Sequence, residues 1–181
     1  AAVNRAALRL AYGAAEREGA GKNHGANTPP IAGGAVDSAP TLTQGRVLFG
    51  CADGSVYCLN AADGALAWRF DATPYDKIVM SYGQVQSAWP IHGSVLIHGG
   101  TAYFCAGRTS YVDGGIFLYG LDPRTGMVRH ERQFYGPYGK DSFPEFVKHG
   151  NRSETEVILG TTADVMSAEG GKLYLRQQAF G

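Results

Sequence analysis

Residues 47–70, VLFGCADGSVYCLNAADGALAWRF, return in altered form at residues 102–134, AYFCAGRTSYVDGGIFLYGLDPRTGMVRHERQF. In both copies a strand-like run meets an Asp-Gly turn, Asp53-Gly54 and then Asp113-Gly114. A second run ends in Leu59-Asn60 or Leu121-Asp122, and a further turn closes on Gly64 or Gly126. A unit this small cannot bury its own apolar face, so a chain that repeats it must stack one unit on the next.

Residues 39–43, 47–51, 55–59 and 65–70 read as four short antiparallel strands bounded by Gly, Asp or Asn. Residues 94–97, 101–106, 116–121 and 128–134 repeat the series, and a third unit opens at Ala163 with two strands around Gly170-Gly171. Ahead of them, residues 1–20 space their apolar side chains as a weakly amphipathic helix would, and residues 21–35 read as linker. The expectation is an all-β region over residues 36–181, with units at 36–71, 93–134 and 163–181. Residues 1–35 are expected to lie outside it, as a helical or irregular segment.

Sixteen basic and sixteen acidic side chains balance, and the arginines are scattered, so no electrostatic footprint for nucleic acid is expected. No run reaches the ~18 apolar residues of a membrane span, and Arg5 and Arg9 interrupt what would be the core of a leader. Any targeting segment is expected outside this chain. The three cysteines form no Cys-x-x-Cys pair. With Asp53-Gly54 as a two-residue turn, Cys51 faces Val56 and Cys58 faces Phe49, so the thiols are not opposed.

The phrase GRVLFGCADGSVYCLNAADGALAWRF resembles the pyrroloquinoline-quinone-type repeat of quinoprotein-like β-propellers, which pairs a Gly-rich hairpin with a Leu-Asp-x-x-x-Gly turn and a tryptophan. The second unit is similar to the outer-membrane-assembly branch of that family. The resemblance covers about residues 36–181 and implies blades of four antiparallel strands, about two and a half of the seven or eight in a full propeller, hence a fragment. Aligning Gly64 with Gly126 sets Trp68 against His130, so docking between blades, usually the work of that tryptophan, must be made otherwise in the second unit.

In a four-stranded meander, the second-to-third turn and the blade-to-blade connection emerge at the same end. That turn grows from residues 52–54 in the first unit to residues 107–114 in the second, and the connections over residues 71–93 and 135–162 are long. Long loops on a rigid scaffold commonly carry binding groups. The candidates are Trp89, His92, Arg108, Tyr111 and Asp113, with Tyr75, Asp76, Tyr82 and Gln84 beside them; loops that merely pack on one another are the competing reading, and for Asp113 ordinary turn chemistry is another. No catalytic or metal set emerges. Ser94 with His92 and His98 lacks a nucleophile elbow, and the two histidines lack a third ligand.

Two functions follow. One is a non-catalytic binding or assembly scaffold, partnered by a protein or by the remaining blades, without cofactor or membrane insertion; the resemblance implies a bacterial, periplasmic or cell-envelope location. The alternative is a fragment of a pyrroloquinoline-quinone-dependent dehydrogenase acting on an alcohol or sugar, with quinone and calcium. Such enzymes, the resemblance implies, often set a disulfide between adjacent cysteines beside the quinone, and this chain has no Cys-Cys pair.

Overall fold

The computed structural model describes residues 32–81, 83–135, 151–153, 165–175 and 178–180, and these contain strands and turns without helix. The first sheet is an antiparallel meander of β1 (Thr41–Thr43), β2 (Arg46–Gly50), β3 (Ser55–Asn60) and β4 (Leu66–Asp71). A hairpin of β5 (Ile78–Ser81) and β6 (Gln84–Ser87) follows. The second sheet orders β7 (Leu96–His98), β8 (Thr101–Ala106), β9 (Ile116–Leu121) and β10 (Val128–Phe134), with β11 (Asn151–Ser153) added parallel to β10. The third holds β12 (Ser167–Glu169), β13 (Lys172–Leu175) and β14 (Gln178–Phe180). These are propeller blades, two whole and one partial.

Three of the expected details change. The first hairpin pairs Gly50 with Val56 and Leu48 with Cys58, one residue off the expected register, because the loop has three residues. Gly54 takes the left-handed position (φ +91°) that a three-residue hairpin loop needs, and Asp53 Oδ1 accepts the Ser55 N–H at 2.9 Å. The thiols still do not meet: all three cysteines are free and buried, and burial pushes Cys58 up to about 11 and Cys105 up to about 12. Residues 71–93, expected as loop, contain the β5–β6 hairpin, and residues 135–162 contain β11. The described residues just ahead of β1 pack on the first sheet. Ala32 and Val36 are buried with Val47, Phe49, Cys51, Tyr57 and Leu59, and Ala52 donates to Ala35 O at 2.8 Å. The helix expected over residues 1–20 lies outside the described residues.

Both complete blades carry the same bulge. β3 and β4 shift register between the Cys58–Trp68 and Leu59–Leu66 pairs, and β9 and β10 between Gly120–His130 and Leu121–Val128. Trp68 and His130 are therefore equivalent positions with different work. Trp68 reaches the next blade, donating from Nε1 to Pro123 O at 3.2 Å, while its ring lies where a Cβ on Gly126 would be, 2.9 Å from Cδ2. His130 stays within its blade, stacked on Tyr103 at 5.9 Å across Gly120. The second blade meets the third through Cys105, Ile116, Leu118 and Phe134 against Met166, Leu173 and Leu175, so a mixture of aliphatic, sulfur and phenyl groups stands where the first blade uses an indole.

The core between the first two blades gathers Leu48, Val56, Trp89, Ile91, Phe104, Phe117, Tyr119 and Leu121. Gly45 and Gly126 both sit near φ +75°, at +72° and +75°, but a Cβ at Gly45 meets open space and one at Gly126 meets Trp68. Backbone strain is thus matched between them. Alanine at Gly45 should cost about 1 kcal/mol of unfolding free energy, and alanine at Gly126 about 1–3 kcal/mol more for the overpacked seam. Equal costs in urea denaturation would show that the indole does not hold the blades together.

Candidate functional site

The insertion over residues 107–115 is built on glycine. Gly107 (φ +126°) and Gly115 (φ +90°) close its base, where a Cβ on Gly107 would stand 2.6 Å from Gly115 O and one on Gly115 2.0 Å from Phe134 O. Asp113 itself adopts φ +56°, a conformation aspartate tolerates better than most side chains because its short carboxylate can bond locally. That backbone places the carboxylate inward, where its side chain is 7% exposed.

Two cations meet it. Lys77 Nζ lies 2.6 Å from Asp113 Oδ1, and Arg108 Nη2 donates to Oδ2. Burial alone would raise the Asp113 carboxyl, but the hydrogen bonds from Lys77 and Arg108 outweigh it and hold the group below its ordinary 3.8. The same contact raises Lys77. Arg108 keeps a further donor, since its buried Nε has no hydrogen-bond partner. Trp89, fully buried, donates from Nε1 to the Asp113 carbonyl at 2.7 Å, and Tyr75 packs edge-on against its ring at 4.8 Å. Backbone bonds tie the connection to the first blade, Ser87 N to Ala52 O and Ile91 N to Cys51 O, and the insertion to the connection, Gly107 N to Pro90 O.

Of the residues singled out from sequence, the structure thus joins Tyr75, Trp89, Arg108 and Asp113. His92 goes elsewhere, pairing through Nδ1 with Asp37 Oδ2 at 2.6 Å. Tyr111 is half-buried within the insertion, its N–H on Thr109 Oγ1 at 3.4 Å. Asp76 and Gln84 are exposed, and Tyr82 lies outside the described residues. Lys77 was not anticipated: nothing local marks it, and its partner is 36 residues away.

Lys77 also starts the β5–β6 hairpin, its carbonyl accepting from Ala88 N at 2.8 Å. The hairpin pairs Met80 with Val85 and Ile78 with Ser87, so Ile78, Met80 and Val85 share one face. They are 73%, 76% and 62% exposed, while Val79 on the other face packs against the core between the blades. The site is therefore an exposed apolar tongue rooted in an ion-paired knot.

Asp113→Asn keeps a side chain suited to φ +56° and removes the charge. At neutral pH it should lower unfolding free energy by about 1–3 kcal/mol, the range for losing charged hydrogen bonds at a mostly buried group. Because the native carboxyl is depressed, its contribution exists above the unfolded value and fades as pH falls through the lower native one. Wild type and variant should therefore converge in denaturant titrations below pH 3.8. A gap that stays constant from neutral to acid pH would assign the effect to the turn, not the charge.

The family described as outer membrane protein assembly factor BamB matches residues 30–151. No curated protein matches the chain. Similar solved structures include quinohemoprotein alcohol dehydrogenase ADHIIG from Pseudomonas putida HK5, 21% identical over 61% of this chain and 14% of that one, with a TM-score of 0.42. Quinohemoprotein alcohol dehydrogenase from Comamonas testosteroni is 24% identical over 53% of this chain and 13% of its own, at 0.42. BamB from Moraxella catarrhalis is 20% identical over 53% and 23%, at 0.34. The chain thus spans less than a quarter of each of these proteins. The family match takes in more than half of the chain, including β1–β4 of the first sheet and β7–β10 of the second, and the chain belongs to the outer membrane protein assembly factor BamB family of quinoprotein-type propeller repeats.

Proposed function

We propose that this chain serves a non-catalytic scaffold that docks a protein partner in the bacterial cell envelope, with the β5–β6 hairpin and the 107–115 insertion as the docking face. One observation carries the reading: Ile78, Met80 and Val85 expose most of their surface on a single hairpin face. Clustered exposed apolar side chains beside polar groups mark interaction surfaces more often than isolated ones do. The ion pairs at its root order the hairpin before a partner arrives, which reduces the ordering cost of association. The family's description as an assembly factor supports a protein partner and an envelope location.

The alternative, a piece of a quinone-dependent dehydrogenase, finds less support in the residues. Among the described residues no three His, Cys, Asp or Glu side chains stand where they could jointly hold a cation such as calcium. Asp113, the acid best placed in the site, is held ionised between two cations that lower its affinity for a proton, which makes it a weak general base.

A photo-crosslinking side chain at Met80 should give a discrete protein adduct in cells, whereas one at Leu42, also exposed at 40% but on β1, should not. Met80→Asp combined with Val85→Asp should abolish co-purification of the crosslinked protein without lowering the unfolding midpoint. Equal adducts from both positions would remove the hairpin from the function. Pyrroloquinoline quinone with calcium should leave the protein's absorbance and thermal midpoint unchanged; saturable quinone uptake would favour the dehydrogenase reading instead.

A further inference from the structure

At the end of the blades opposite the docking face, the β1–β2, β3–β4 and β9–β10 turns enclose an open cavity of about 570 Å³ lined by Gln44, Gly45, Arg46, Asn60, Asp63 and Arg124, with Ala62. Its charges are unbalanced. Arg69, Arg108 and Arg129 engage Ser55, Asp113 and Asp122, but among the described residues no side-chain hydrogen bond or ion pair occupies the guanidinium of Arg46 or Arg124. The one carboxylate of the lining, Asp63, is already turned to its own loop, with Oδ1 accepting the Ala65 N–H at 2.9 Å.

The two arginines come from different blades, so their spacing depends on the seam. Arg124 sits in a turn fixed from both sides: Asp122 Oδ1 accepts the N–H groups of Arg124 and Thr125 at 2.8 and 3.2 Å, and Trp68 holds Pro123 O and Gly126 from the neighbouring blade. Arg46 opens β2 beside Gln44, which stands at φ +46°, a conformation uncommon for a glutamine. Two unpaired guanidinium groups on rigid turns, with amides of Gln44 and Asn60 beside them, match the chemistry of a small oxyanion, because the planar fork of arginine binds carboxylate or phosphate oxygens two at a time.

We propose that this cavity is an anion-binding site that takes a carboxylate or phosphate group on a small hydrophilic molecule. It is separate from the docking face and independent of that reading. Its size falls within the range of small-molecule sites, about 300–1,000 Å³, and its polar lining favours a hydroxylated ligand over an apolar one.

Calorimetric titration of the whole chain with glucuronate, inorganic phosphate and glucose tests it. At least one anion should bind saturably at one site, and neutral glucose should not. Glucuronate alone would identify a carboxylate on a hydroxylated body, phosphate alone a phosphoryl group. Arg46→Gln and Arg124→Gln should each weaken binding about tenfold, whereas Lys172→Gln, on the third sheet, should not change it. Arg46→Lys and Arg124→Lys keep charge and stem but lose the fork, so they should also weaken binding and stand in for any glutamine variant that fails to fold. Absence of saturable binding by either anion, wild-type affinity in the arginine variants, or equal loss in Lys172→Gln would overturn the proposal.

Discussion

The two tryptophans of the chain, Trp68 and Trp89, close the seam between the first two blades from opposite ends, and the rest of the arrangement hangs on that seam. A four-stranded sheet of short strands has too little apolar face to stand alone, so each blade depends on its neighbour. At one end the indole of Trp68 lies under the β9–β10 turn and bonds Pro123 O; at the other the indole of Trp89 lies in the shared core and bonds the carbonyl of Asp113. In each case the apolar ring fills the interface and the N–H satisfies a turn carbonyl of the next blade. Such dual contacts fix turn position as well as distance between sheets, which is why residues on those turns can act together with residues of the preceding blade.

Much of this was legible from the repeat. The strands of both blades fall where turn residues bracket them, and the Trp68–His130 correspondence survives down to a shared bulge. The repeat could not reveal features that occur only once. The β5–β6 hairpin has four-residue strands, IVMS and QVQS, with no counterpart among the described residues of the second unit and a pattern too short to separate from loop. β11 joins β10 in parallel, a pairing that depends on a long excursion of the chain and leaves no local mark. The one-residue register error at Cys51 has the same origin as many hairpin errors: Asp-Gly suits both two- and three-residue loops, and backbone torsion at Gly54 decides between them.

The site was half legible for a related reason. Loop length pointed to the end of the blades where Trp89, Arg108 and Asp113 converge, because alternation of turns in a meander is a topological consequence of the strand order. Partner choice was not legible. His92, two residues past Pro90, turns to Asp37, whereas Lys77, next to the exposed and uninvolved Asp76, supplies the second cation. Neighbouring side chains on an extended segment point to opposite sides, so which of two adjacent charges faces the knot depends on the phase of the hairpin that follows.

That phase also bears on how strongly the docking face could hold a partner. Three aliphatic side chains contribute about 1.5–3 kcal/mol each when fully buried, so Ile78, Met80 and Val85 together offer a gross gain comparable to the about 4–15 kcal/mol lost in translational and rotational freedom on association. The hairpin alone therefore suits a weak contact. The Lys77–Asp113–Arg108 knot matters in this balance because it leaves little ordering to be done at the moment of binding. A stable complex of this face then requires either a partner that adds polar contacts around the knot or several such faces engaged at once, as a repeat architecture allows.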